Sequence, residues 1–296
     1  MIITDTGPAP RRALPPGAAG LIAAALPSAG RACQLSDLLV GVDTDGSVYL
    51  ADAAPARSLL DRGVDPQLYR AYRDVVAPRP KPDQISGIPA GAGAWFADLV
   101  VYSAATLAGG SELGRSLGHW NTPAQIEVFQ CLTGRVLMLH TNIDDLGRAT
   151  VQFHLCQAGD HVVIPFGAWH LTAVLDAPAV IFNIYTDATP LLAGHTSRDA
   201  ATHAELKYHA APAPELAVVR TESGIGLTGA SQEFTRNAVR PGDVPGWART
   251  LLEPSGLAVI YQHAPDAELT RLQEHALRHG NPTSRAGTAR PAPCVR

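Results

Sequence analysis

Short apolar runs at close spacing dominate the middle of the chain. They are WFADLVVYSA (95–104), QIEVFQCL (125–132), RVLMLHT (135–141), ATVQFHLC (149–156), HVVIPF (161–166) and AVIFNIYTDA (179–188). Gly, Pro and Asp separate them. Short strands punctuated in this way predict an antiparallel sandwich or barrel rather than alternating β-α units. Gly134, between the second and third runs, is expected to turn one strand into the next.

Outside this block the pattern is looser. Residues 1–18 are rich in Pro, Gly and Ala and read as loosely attached, with GLIAAAL (20–26) as a short helix ending a flexible arm over 1–30. Arg11-Arg12 ahead of it faintly resembles a signal peptide, but Pro15 and Pro16 interrupt that pattern. QLSDLL (34–39) starts like a helix. Asp43-Thr44-Asp45-Gly46 then reads as a hairpin turn between VGV and SVYLAD. These elements form an N-terminal extension over 31–90, packing on a barrel over 91–200, with the proline-rich APRPKPDQ (77–84) near their junction.

In 201–280, LAVVRT (216–221) and LAVIYQH (257–263) read as strands. Asp266 caps a helical pattern, AELTRLQEHALRH (267–279), with Leu269, Leu272 and Ala276 on one face and Gly280 as its stop. His275 and His279 fall on this helix, whose apolar face packs on the chain or meets a second subunit in a homodimer. Residues 281–296 are polar, rich in Pro and Arg, and expected to be disordered.

Composition narrows the function. Hydrophobic residues make up 46% of the 296 and charged residues 17%, enough for a large core. A net charge of −4, with neither a basic block nor an acidic tail, argues against a nucleic-acid partner. Cys33, Cys131, Cys156 and Cys294 form no CxxC pair and read as reduced, mostly buried thiols of a cytoplasmic protein. No run approaches the roughly 20 apolar residues of a membrane helix.

The chemistry concentrates in GHWNTPAQIEVFQCLTGRV (118–136) and AGDHVVIPFGAWH (158–170). His119, Glu127 and His170 supply two imidazoles and one carboxylate, a facial set that holds a divalent metal and leaves positions open. A metal with open positions polarises a carbonyl or orients a substrate. His119 and Asn121 are two apart on a strand and share a face. Asn121 is then either a weaker metal ligand or a hydrogen-bonding group to the substrate or to the ligands. In a small barrel such inward positions converge near the mouth. Of the remaining histidines, His161 is expected to face solvent beside the Gly-Asp turn, and His140, on a strand like His154, to be structural. Trp120 and Trp169 are expected to pack outward.

These two segments resemble the two signature motifs of the cupin fold. The first pattern is a Gly, two His one residue apart, a Glu and a Gly. The second is Gly-Asp, a strand, a Pro and a His. More narrowly, the chain is similar to the cupin-type glucose-6-phosphate isomerases and their relatives. The matching pieces run in order from QLSDLL through LYRAYRDV (68–75), ELGRSLGHW (112–120) and IEVFQCLTGRVLML (126–139) to AGDHVVIPFGAWH and FNIYTDA (182–188).

The resemblance implies a double-stranded β-helix, or jelly-roll barrel, with an N-terminal extension and a C-terminal helix. It implies metal ligands at His119, Glu127 and His170, with Asn121 in place of the family's second His, and Fe, Mn, Ni or Zn as the ion. Glu127 would also be the base that moves a proton between neighbouring carbons. Arg115-Ser116 stands where the family holds phosphate, and Tyr72 is a further hydroxyl donor. Phe129 and Leu99 replace a family Tyr and Thr. The implied function is a metal-dependent isomerase or epimerase for a small polyoxygenated carbonyl compound, sugar phosphates among the candidates, diverged from glucose-6-phosphate isomerisation. A non-haem iron oxygenase and a non-catalytic sugar-binding cupin are the alternatives.

Overall fold

The computed structural model describes residues 2–4, 12–44, 48–79, 95–121, 127–143, 149–164, 168–186, 214–229 and 256–279. The chain is mostly β and its strands pair antiparallel. The larger sheet contains β2 (Arg31–Gln34), β3 (Gln67–Tyr72), β4 (Trp95–Tyr102), β9 (Trp169–Thr186), β6 (Glu127–Ile143) and β7 (Ala149–Gln157), in that spatial order. Two short strands complete it: β5 (His119–Trp120) pairs with β9, and β8 (His161–Ile164) pairs with β6. A second sheet places β1 (Ile2–Ile3) beside β11 (Gly224–Thr228) and β10 (Ala217–Thr221).

Strand alternation divides the core. One face of the large sheet curls around a cluster that draws Tyr102 from β4, Phe129, Val136 and Met138 from β6, Cys156 from β7, Val162 and Ile164 from β8, and Ile181 from β9. The opposite face packs in two places. Trp95, Leu99, Val128, Phe182 and Ile184 meet three helices, α1 (Ala18–Ala25), α4 (Leu257–His263) and α5 (Asp266–His279). Leu137, Leu139, Trp169 and Leu171 meet the smaller sheet through Val218, Ile225 and Leu227. Burying side chains of this size is worth about 1.5–3 kcal/mol each, so these contacts carry much of the fold.

Gly134 does not end a strand, as its sequence suggests; β6 runs on through it. The register against β9 slips between Cys131 and Val136, and Gly134 sits at φ 78°. A Cβ there would lie 2.6 Å from the Pro178 carbonyl oxygen. The slip reverses the alternation: Phe129 and Cys131 face inward before it, Val136 and Met138 after it. One bent strand therefore serves both halves of the barrel.

Three further expectations are corrected. The strand expected before the Asp43 turn is a helix, because Leu35, Leu38, Leu39 and Val42 follow a helical spacing and α2 (Leu35–Thr44) continues through VGV; Asp45 and Gly46 lie outside the described residues. LAVIYQH is the helix α4; an apolar run this short fits either period, and Leu257, Ala258, Ile260 and Tyr261 are all buried. The N-terminal segment is attached rather than loose. Ile2 and Ile3 pair with β11, and Ala18, Leu21 and Ala25 of α1 enter the core. The short helix α3 (Ala54–Asp61) completes the extension. The expected tail, 281–296, lies outside the described residues, as does most of 77–84.

Candidate metal centre

Three strands bring the ligand set together. Gly118 enters β5 at φ 77°, and a Cβ on it would come 2.8 Å from the Trp169 ring and 3.1 Å from the His170 carbonyl. Only glycine allows β5 to lie this close to β9. In that register His119 stands opposite His170. Glu127 opens β6, paired with Tyr185 of β9 and Ile164 of β8.

The ligand atoms of His119, Glu127 and His170 all lie within 4.8 Å of one another. His170 Nε2 is 2.9 Å from Glu127 Oε2, and His119 Nε2 is 3.6 Å from Oε1. The imidazoles meet edge to face with centroids 4.3 Å apart. Ligands about 2.0–2.2 Å from a common ion lie roughly 3–3.6 Å from each other, so both Glu127–histidine contacts are of the order such a centre requires. Burial alone would raise the Glu127 carboxyl. The charge and hydrogen bonds of His170 and His119 outweigh it and hold the group well below the usual carboxylate range. It is therefore ionised, the form a metal needs.

Asn121 follows β5, its backbone N–H donating to the Ala168 carbonyl at 2.9 Å. Its side chain is buried, and neither amide atom has a hydrogen-bond partner among the described residues. It keeps spare donor and acceptor capacity next to the strand that carries His119.

The triad opens into a solvent-accessible cavity. Tyr69, Ala71 and Arg73 line it from β3 and its end, Val100 and Tyr102 from β4, Ser116 and Leu117 from the segment before β5, and Thr172, Asn183 and Tyr185 from β9. Phe129 forms an apolar wall, its ring 5.5 Å from that of His170. Ser116 is fixed by β9: its N–H donates to the Thr172 carbonyl at 2.9 Å, and its hydroxyl oxygen accepts the Thr172 N–H at 3.0 Å. Burial pushes the Tyr102 phenol up to about 12 despite hydrogen bonds with Thr172 and Ser116, so it remains a neutral donor.

Sequence-derived candidates divide here. His119, Glu127, His170, Ser116 and Phe129 line the cavity. Tyr72 does not: it faces the opposite side of β3, packed in the helix-covered core with Trp95 and Leu99. The inward residues of that strand are Tyr69, Ala71 and Arg73, one position out of phase with the sequence reading. Arg115 does not line the cavity either. It is 1% exposed, and its guanidinium donates to the carbonyls of Tyr49 (2.9 Å), Ser116 (3.1 Å), Leu117 and Leu216 (both 3.4 Å). Burial lowers it to about 10, partly offset by Glu112. It is neither a solvated charge nor, in this arrangement, a free anion donor.

Trp169 packs in the core under the smaller sheet as expected; the Trp120 side chain lies outside the described residues, as do those of His275 and His279. His161 is a correction. It is buried rather than solvent-facing, because it pairs with Gln130, whose side-chain oxygen accepts the N–H of Leu257 at the start of α4. His140 and His154 are both buried, with their Nε2 atoms 3.2 Å apart. Cys33, Cys131 and Cys156 are buried thiols outside any disulfide. No helix among the described residues is long and apolar enough to cross a membrane.

No family model matches the sequence, and no curated protein matches it. Among solved structures, it is similar to an oxalate oxidase in complex with glycolate, at 15% identity and TM-score 0.25 over 31% of this chain and 41% of that one. It is similar to KdgF from Halomonas sp. at 13% identity and TM-score 0.25, over 40% and 78% of the two chains. The cupin domain of Schizosaccharomyces pombe Cnp3 matches at 11% identity and TM-score 0.26, over 43% and 69%. The chain thus spans less than half of the oxalate oxidase's length. Likenesses this weak carry no functional argument; the metal centre stands on its own geometry.

Proposed function

We propose that this protein is a metal-dependent isomerase or epimerase acting on a small polyoxygenated carbonyl compound. The observation that carries this reading is the convergence of His119, Glu127 and His170 at the wall of a cavity otherwise rich in hydroxyl groups. The donor set suits Fe, Mn, Ni or Zn, and such an ion, when bound, supplies Lewis-acid polarisation of the substrate carbonyl. His119 and His170 present their Nε2 atoms as neutral ligands. Tyr69, Tyr102, Tyr185 and Ser116 offer hydroxyls to substrate oxygens, and Phe129 keeps water from one side of the reacting carbons.

Glu127 accepts the proton from the carbon next to the carbonyl and returns it to the neighbouring carbon. A carboxylate is a modest base, so the reaction depends on a substrate whose C–H is acidified by the neighbouring carbonyl. The test is proton exchange: metal-loaded protein in D2O, a panel of sugar phosphates, hydroxy-ketones and hydroxylated keto and aldehydo acids, and NMR observation of the C–H beside each carbonyl. Exchange in at least one compound supports the reading, and none across the panel contradicts it.

Two His and one carboxylate are also the facial set of non-haem iron oxygenases. Oxygen consumption by the Fe(II)-loaded protein, without C–H exchange, would favour that second reading.

A further inference from the structure

We infer that the substrate carries a carboxylate and that Arg73 receives it. The inference rests on reading the cavity as the substrate site. Among the described lining residues, Arg73 is the sole permanent cation. It follows the inward positions Tyr69 and Ala71 of β3, and its side chain remains 45% exposed. Arg115, the cation that the sequence favoured for an anionic group, has its donors on backbone carbonyls instead.

Arg73 is held in place from behind. Asp98, fully buried on β4, accepts a hydrogen bond from Nη1 through Oδ2, and its Oδ1 accepts the Asp74 N–H at 3.0 Å. Asp74 adopts φ 54°, an uncommon conformation for a residue other than glycine, and its hydrogen bond to Asp98 fixes it there. Both carboxylate oxygens of Asp98 are therefore engaged by the stretch that carries the guanidinium. One corner of a planar five-donor fork is anchored, and the side chain stays open toward the cavity. Tyr185 and Glu127 both lie within electrostatic reach of the guanidinium, which puts it close to the metal ligands.

Charge selects the class of anion. Asp98 already cancels the Arg73 charge, so the subsite offers directed N–H donors rather than surplus positive charge. Such a group suits a monoanion with two coplanar acceptor oxygens, and the guanidinium fork matches a carboxylate in that geometry. A dianionic phosphate at this subsite would meet one side-chain cation, already paired with Asp98. The substrate class is then a hydroxylated keto or aldehydo acid rather than a sugar phosphate.

Calorimetric titration of the zinc-loaded full-length protein tests this with three probes that need no turnover: gluconate, glucitol and glucitol 6-phosphate. Gluconate should bind at least about tenfold more tightly than glucitol, the worth of a charge-assisted hydrogen bond. Arg73→Gln alone would strand a buried Asp98, so the deciding variant is Arg73→Gln/Asp98→Asn. It should bring gluconate to the affinity of glucitol with metal stoichiometry unchanged, and Arg73→Lys should fall between. Gluconate binding no tighter than glucitol, a preference that survives the double variant, or tighter binding of glucitol 6-phosphate would each overturn the inference. Missing C–H exchange with the gluconate preference intact would remove the isomerase reading alone; exchange with no preference would remove this one alone.

Discussion

Glu127 Oε2 lies 2.9 Å from His170 Nε2, joining the first residue of β6 to the second residue of β9. The contact sets the proposed base and a metal ligand side by side. Glu127→Gln keeps the shape and removes the charge and the basicity. With metal supplied in excess, so that lost occupancy does not mimic lost chemistry, C–H exchange should fall at least about 100-fold. Exchange rates within threefold of wild type would remove Glu127 from the proton transfer.

The parity of β3 gives a paired prediction. Tyr69 lines the cavity and Tyr72 faces the opposite core. Tyr69→Phe removes a hydroxyl from the pocket and should lower kcat/KM for the best substrate by about 3- to 10-fold, the worth of one hydrogen bond. Tyr72→Phe should leave it unchanged within about twofold. The reverse pattern would mean that the strand faces are wrongly assigned.

That contrast shows what the sequence reveals and where it falls silent. The spacing of apolar runs gave the antiparallel class, and the two motifs gave His119, Glu127 and His170, because those positions depend only on local strand and turn chemistry. Tyr69 and Arg73 were hidden in LYRAYRDV, where polar and apolar residues sit on both faces. On the outer face of β3, helix α1 covers Tyr72 and helices α2 and α3 cover Leu68, so apolar residues stand on both faces and hide the strand's direction. Arg115 misled for a related reason: its carbonyl partners at Tyr49 and Leu216 come from segments far away in sequence. LAVIYQH and VGV were ambiguous because runs of three to five apolar residues fit either period.

Gly134 permits the register slip that lets β6 serve both halves of the barrel. Gly134→Ala forces a Cβ to within 2.6 Å of the Pro178 carbonyl at a φ of 78°. The left-handed backbone and the overpacking together should cost about 2–4 kcal/mol. Urea denaturation reads this as a lower midpoint at unchanged slope. A loss below about 0.5 kcal/mol would show that the bend relaxes freely.

Burial lowers His161 to about 4. The imidazole is neutral in the folded chain at pH values where the unfolded chain, titrating near 6.5, binds a proton. The unfolded state thus takes up more protons between those values. Stability is full above about pH 6.5 and is lost as pH falls toward 4, by at most about 1.4 kcal/mol per pH unit from this residue. His140, lowered to about 3 by burial and then by His154 and His170, acts in the same direction. His161→Gln should therefore flatten, but not abolish, the fall in unfolding free energy between pH 6.5 and 4. An unchanged slope would place His161 in contact with solvent.

The most direct test of the central claim is elemental analysis of the protein purified without chelators, compared with His170→Ala and His119→Ala. The triad predicts close to one equivalent of a divalent transition metal per chain in the wild type, and retention reduced at least about 100-fold in affinity when either imidazole is removed. A wild-type chain that retains no metal, or variants that retain it undiminished, would contradict the assignment of His119, Glu127 and His170 as the metal centre.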